Sequence, residues 1–168
     1  MSTTATIAKA AAAFTPEMNK AVILKYFTEY WAKGNADIVD EVCLPNYVMH
    51  YPLHGTTTGR TNAKAFRTNF SEGFPDLTFW AVGPLIAENT PEGDFVAGRW
   101  EGGGTHTGPV PGPSMVYGNF KETATGKKMV FSGTTVFRLE NGMIAEEMGE
   151  EGAISALSQL GIVGPLNF

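Results

Sequence analysis

The stretch MVFSGTTVFRLENGMIAEEM, residues 129–148, decides the fold class. Met129 to Leu139 and Met143 to Met148 are rich in apolar and β-branched residues with polar ones interleaved, so both read as strands. Between them Asn141-Gly142 signals a tight hairpin, because both central positions of such a turn take positive φ. Working upstream, Asp94 to Glu101 and Gly118 to Thr123 read as further strands. Leu77 to Val82 and Leu85 to Glu88 are two strands or one bulged strand. Gly102 to Pro113 carries five glycines and three prolines and fits neither regular structure. The segment Gly102 to Gly118 is long for a connection, which suits a lid over a pocket or a subunit contact.

The first half of the chain has helical spacing instead. Thr15 is placed to cap a helix with Pro16 at its first position. From Met18 onward Val22, Ile23, Tyr26, Phe27, Tyr30 and Trp31 form one wide apolar face, ending at Lys33-Gly34. A short helix follows from Ala36 or Asp37 to Val42, stopped by Pro45, and Asn46 to Pro52 is a short extended segment. A third helix runs from a Thr61 cap to Gly73, with Ala65, Phe66 and Phe70 apolar. A last short helix, Ala153 to Leu160, is closed by Gly161. Helices first and antiparallel strands after make an α+β domain. Residues 1–15 read as a flexible tail and 16–168 as one domain.

Composition limits the function. The chain has 168 residues, 43% of them hydrophobic, and only 17% charged, with a net charge of −5. No basic patch marks a nucleic-acid partner, and no stretch approaches the ~20 apolar residues of a membrane span. The N-terminus lacks the features of a signal or transit peptide, which points to the cytoplasm. Cys43 is the one cysteine, set in an apolar run, and reads as a core thiol rather than a nucleophile. The three histidines have no H-x-x-x-H or H-E-x-x-H spacing, so no metal site is expected.

Several short motifs occur together in order. They are Asn19-Lys20 with the aromatic helix, Lys33-Gly34-Asn35, Pro45-Asn46-Tyr47-Val48-Met49-His50, and Phe74-Pro75-Asp76-Leu77. They continue with Gly104-Thr105-His106-Thr107-Gly108, Val136-Phe137-Arg138-Leu139, Ile144-Ala145-Glu146-Glu147 and Gln159-Leu160-Gly161. In this order and spacing, from about Met18 to Gly161, the chain resembles the SnoaL-like polyketide cyclases. The resemblance implies the curved-sheet cone of the nuclear-transport-factor-two-like superfold, with about three helices closing a pocket, and a homodimer. It also implies acid–base chemistry, without metal or organic cofactor, on polycyclic intermediates of secondary metabolism: aldol cyclisation, isomerisation, ring rearrangement or dehydration. The carboxylate that follows the last strand in the founding cyclases falls on Gly152 here, with Glu150 and Glu151 beside it.

Carbon-acid chemistry needs a base near a C–H and a donor for the developing oxyanion. Glu146 and Glu147 are adjacent on a strand, so only one faces the interior. Glu147 shares its face with the small residues Ala145 and Gly149, which would leave room for a ligand, and is the favoured acid–base group; Glu150 is the neighbouring candidate. His50, at or next to a position that lines the family's pocket, and His106, in the Gly-rich loop, are the candidate proton shuttles or oxyanion donors. His54, in Leu53-His54-Gly55, ranks below them. Arg99 would orient a substrate carbonyl or pair with a glutamate, while Arg138 reads as structural. Tyr26, Tyr30, Trp31, Phe70, Trp100, Tyr117 and Phe137 supply candidate walls for an apolar, polycyclic substrate. The expected function is a cofactor-independent cyclase or isomerase acting on a polyketide- or terpenoid-derived intermediate. A dehydratase or hydrolase with a similar pocket, or a non-catalytic binding and dimerisation module, are the alternatives.

Overall fold

The computed structural model describes residues 14–109 and 124–164. The first helix, α1, covers Pro16–Tyr26, and the Thr15 hydroxyl accepts the Met18 N–H at 3.2 Å. The expected single long helix does not continue regularly. Phe27–Ala32 is a π-helical turn, with Lys33 N–H bonded to Thr28 C=O at 3.1 Å. The wider turn lets the adjacent residues Tyr30 and Trp31 both be buried. Buried Arg67 holds its end, donating to the Tyr30 carbonyl at 2.6 Å and the Trp31 carbonyl at 3.0 Å. The guanidinium thus satisfies backbone acceptors that the helix end leaves open.

A 3₁₀ turn, Ala36–Ile38, leads into the four-residue α2, Val39–Val42, and strand β1 starts at once, Cys43–Tyr51. Pro45, expected to end the helix, instead lies within the strand. It falls between the paired positions Cys43 and Val48, where the ladder shifts register and needs no N–H. Strand β2, Gly55–Thr58, was not expected. Helix α3 covers Arg60–Gly73 and is capped by Gly59 at φ 81° rather than by Thr61.

The remaining strands are β3, Thr78–Thr90, β4, Gly93–Thr105, β5, Lys128–Glu140, and β6, Met143–Glu151. The two β3 segments are one strand, with a register shift between Val82 and Ile86 around Gly83 at φ 75°. Such a shift bends the strand and helps curl the sheet. Asn141 and Gly142 take φ 51° and 73° in the hairpin. The expected strand Gly118–Thr123 and most of the proposed lid lie outside the described residues.

Among the described residues six strands form a curved, unclosed sheet in the order β2-β1-β6-β5-β4-β3. It is not wholly antiparallel, because β1 runs parallel to β6. The first strand thereby lies beside the last and brings residues from both ends of the domain together. Helix α4, Ala153–Leu160, ends at Gly161 with φ 74°. It docks on β5 where β6 has run out: Gln159 accepts the Val130 N–H and donates to the Val130 carbonyl, each at 2.8 Å. Among the described residues, no helix is long and apolar enough to cross a membrane.

Candidate active site

Along β6 the alternation turns Ala145, Glu147, Gly149 and Glu151 toward the interior of the sheet and Glu146, Met148 and Glu150 outward. Glu147 is fully buried between Phe137 of β5 and Met49 of β1. Tyr26 donates to its Oε2 at 2.7 Å. Tyr51 donates to Oε1 at 2.7 Å and the Trp31 indole to Oε1 at 3.3 Å. Each of these partners is a neutral donor. Burial outweighs them and raises the Glu147 carboxyl from its usual 4.5 to about 7. Tyr26 and Tyr51 are themselves raised well above 10, by burial first and by the nearby carboxylate second, so they remain donors.

A chain of donors runs in one direction to this carboxylate. The Trp100 indole donates to the Thr135 hydroxyl at 2.9 Å, and the Thr135 and Tyr51 hydroxyls are 3.0 Å apart. Because Trp100 can only donate and Tyr51 donates to Glu147, Thr135 must donate to Tyr51. Two inner-face glycines make this geometry possible. A Cβ on Gly149 would overlap the Tyr51 ring, and one on Gly133 would overlap the Trp100 ring. The space expected above Gly149 for a ligand is therefore occupied by Tyr51. Gly149→Ala is expected to cost about 1–3 kcal/mol through overpacking, read as a lowered denaturant midpoint. An unchanged midpoint would show that the ring gives way freely.

A second carboxylate lies one step further along the same face. The Glu151 side chain is 2% exposed and accepts the Leu53 N–H at 2.9 Å. Burial raises it to about 7. His54 Nε2 lies 3.6 Å from its Oε2, close but beyond hydrogen-bond length. The imidazole sits among Phe66 and Phe70 of α3, and burial lowers it to about 4, so it is neutral near pH 7. Its Nδ1 is buried with no hydrogen-bond partner among the described residues. An unpaired polar atom of this kind costs about 1–3 kcal/mol.

His54 and Glu151 line an internal cavity with Trp31, Tyr51, Phe70 and Trp100, and Phe79 and Phe131 complete its wall. The space is about 10 Å³, room for about one water. A second gap shares His54, Phe70, Phe131 and Glu151 and is closed by Ala156, Leu157 and Leu160 of α4.

The interior thus unites Glu147, Tyr26, Trp31, Tyr51, Trp100 and Phe70, but not every residue that the sequence suggested. His50 points outward, half-exposed, with Nε2 3.3 Å from Glu146 and Nδ1 3.0 Å from Thr56. It alternates with the inward Met49 and Tyr51, so its side chain is on the opposite face. Glu150 is exposed for the same reason, one residue out of phase with Glu151. Arg99 is exposed and paired with Glu101 at 3.2 Å, which answers its need for a partner outside the interior. His106 is buried but bonded into the loop base, its Nδ1 accepting the Thr125 N–H at 3.2 Å and its ring stacked on Phe74. Tyr30 donates to the Ala63 carbonyl at 2.8 Å, and Phe137 packs against Tyr26 and Phe27, so both serve the core. Tyr117 lies outside the described residues. Glu151, which the sequence reading did not separate from Glu150, and His54, ranked below the other two histidines, both belong to the interior: strand alternation extended along β6 reaches Glu151, whereas the burial of His54 depends on α3. Among the described residues no group of three or more potential metal ligands occurs.

The model of the SnoaL-like polyketide cyclases matches residues 21–160. The chain belongs to that family. No curated protein matches this SnoaL-like sequence. Solved structures share its fold at low identity. A Jannaschia sp. CCS1 protein assigned to the SnoaL-like polyketide cyclases is 21% identical, with TM-score 0.70 over 93% of this chain and 100% of its own. TsrD from Streptomyces laurentii is 19% identical, with TM-score 0.70 over 90% and 100%. A phenazine biosynthesis-related protein from Pseudomonas aeruginosa is 13% identical, with TM-score 0.66 over 91% of each chain.

Proposed function

We propose that this SnoaL-like chain is a cofactor-independent cyclase or isomerase that moves protons on an apolar, polycyclic ketone of secondary metabolism. The observation that carries this reading is Glu147, a buried carboxylate near pKa 7 held only by neutral donors and joined to the cavity wall through Tyr51. A base in that range is suited to neutral pH. Tyr51 links it to the ligand: as its oxygen receives an α-proton from substrate carbon, its own proton passes to Glu147. The cavity holds about one water as it stands, and once opened it would present the aromatic faces of Trp31, Phe79 and Trp100 to a flat apolar ring system.

The test is deuterium exchange at the carbon next to the carbonyl, followed by NMR in D₂O for a panel of cyclic ketones. Catalysed exchange with an acid limb that climbs toward pH about 7, as Glu147 loses its proton, supports the reading. Failure of every ketone to exchange above the buffer rate would leave the interior as a binding cavity and overturn it.

A further inference from the structure

We propose that His54 and Glu151 form a second proton-transfer pair, placed to meet the carbonyl oxygen of the same ketone whose α-carbon is served by Tyr51 and Glu147. This rests on the function proposed above and extends it to a two-sided keto–enol reaction. Both carboxylates project from the inner face of β6, and Tyr51 and His54 line one cavity. His54 Nε2 faces Glu151, while Nδ1 is buried and has no hydrogen-bond partner among the described residues. A ligand oxygen in the cavity would supply that partner.

The step balances without any further reactant. The α C–H bond breaks, its proton passes through Tyr51 to the Glu147 carboxylate, and its electron pair becomes the C=C bond. The carbonyl π pair moves to oxygen, which takes the Nδ1 proton of His54 and becomes the enol hydroxyl. Nε2, 3.6 Å from Glu151 in this structure, must close to hydrogen-bond length as the ketone binds and then takes the Glu151 carboxyl proton, leaving neutral imidazole and a carboxylate. Ketone becomes enol, and one proton has moved from Glu151 to Glu147. The reverse sequence returns the ketone. Because Glu147 must start ionised and Glu151 protonated, and both carboxyls are raised to about 7, the rate should be bell-shaped near neutral pH. The groups facing the pair are Tyr51, the Leu53 N–H and the rings of Phe66 and Phe70. Glu150 is turned outward, but its charge adds to burial in raising the Glu151 carboxyl.

The probe is 1-tetralone, a bicyclic ketone with exchangeable α-hydrogens. Wild-type exchange is expected to be bell-shaped in pH. His54→Gln should slow it by roughly 10²-fold or more, and Glu151→Gln should remove the alkaline limb, while the outward Glu150→Gln, which only takes away a charge that helps to raise Glu151, should keep the rate and move that limb to lower pH. With only three histidines in the chain, ¹⁵N NMR also resolves the imidazoles. Adding 1-tetralone should shift the His54 Nδ1 resonance and leave that of His50 in place, a readout that needs no variant to fold. Wild-type exchange with an unmoved His54 resonance, or an alkaline limb that survives Glu151→Gln, overturns this proposal alone. No wild-type exchange overturns the function reading and this pair with it.

Discussion

Replacing Glu147 by Gln is expected to slow α-proton exchange by roughly 10²–10⁴-fold, the loss typical of removing a positioned base. Glutamine keeps the shape of the side chain and an oxygen that accepts hydrogen bonds. Its amide meets the opposite side of the donor shell, where the Tyr26 or Tyr51 hydroxyl can turn to accept from it. The fold should therefore persist, with an unchanged far-UV circular dichroism spectrum, while the carboxylate that takes the proton is gone. A folded variant with wild-type exchange would exclude Glu147 as the base and leave it a structural hub for three elements: α1, the π-turn and β1.

The second large effect concerns stability. The Glu147 carboxyl is raised by burial from 4.5 to about 7. Below pH 4.5 it is protonated in both folded and unfolded chains and contributes nothing to the pH dependence. Between pH 4.5 and 7 the unfolded chain gives up this proton while the folded chain keeps it, so rising pH favours unfolding; above 7 the loss is complete. A shift of this size corresponds to about 3 kcal/mol. Glu151 acts in the same sense, and His54, lowered to about 4, acts oppositely as pH falls below 6.5. Both remain in Glu147→Gln and cancel in the comparison. The stability of the variant relative to wild type should therefore rise by about 3 kcal/mol between pH 4.5 and 8, measured by urea unfolding at each pH. A difference that stays flat with pH would mean that Glu147 titrates alike in both states.

Local rules in the sequence were enough for much of the fold. Thr15-Pro16, Asn141-Gly142 and Gly161 each mark a boundary through a backbone preference that distant residues do not alter. Alternation put one of Glu146 and Glu147 inside, and the small neighbours Ala145 and Gly149 selected Glu147. Applied to β1, alternation separates His50 from Tyr51, and extended along β6 it selects Glu151 over Glu150. What local rules could not supply was contact between distant segments. The parallel pairing of β1 with β6, the hold of Arg67 on the π-turn, and the burial of His54 against α3 each join residues far apart in the chain. The glycines show the same limit: Gly149 read as room for a ligand, but the occupant of that room, Tyr51, comes from another strand.

The interior is shut. Its gap holds about one water, and α4 is pinned over the adjoining space by the paired hydrogen bonds of Gln159 to Val130. A ring-sized ligand therefore meets a binding-competent protein only in the fraction of molecules whose interior has opened, and its apparent dissociation constant is the intrinsic one divided by that fraction. Loosening the clasp, as in Gln159→Ala, should tighten apparent binding of a cyclic ketone, although Gln159 lies outside the cavity wall. On the proposed function, affinity would be set partly by how rarely the door stands open, and the residues that govern it need not be those that meet the guest.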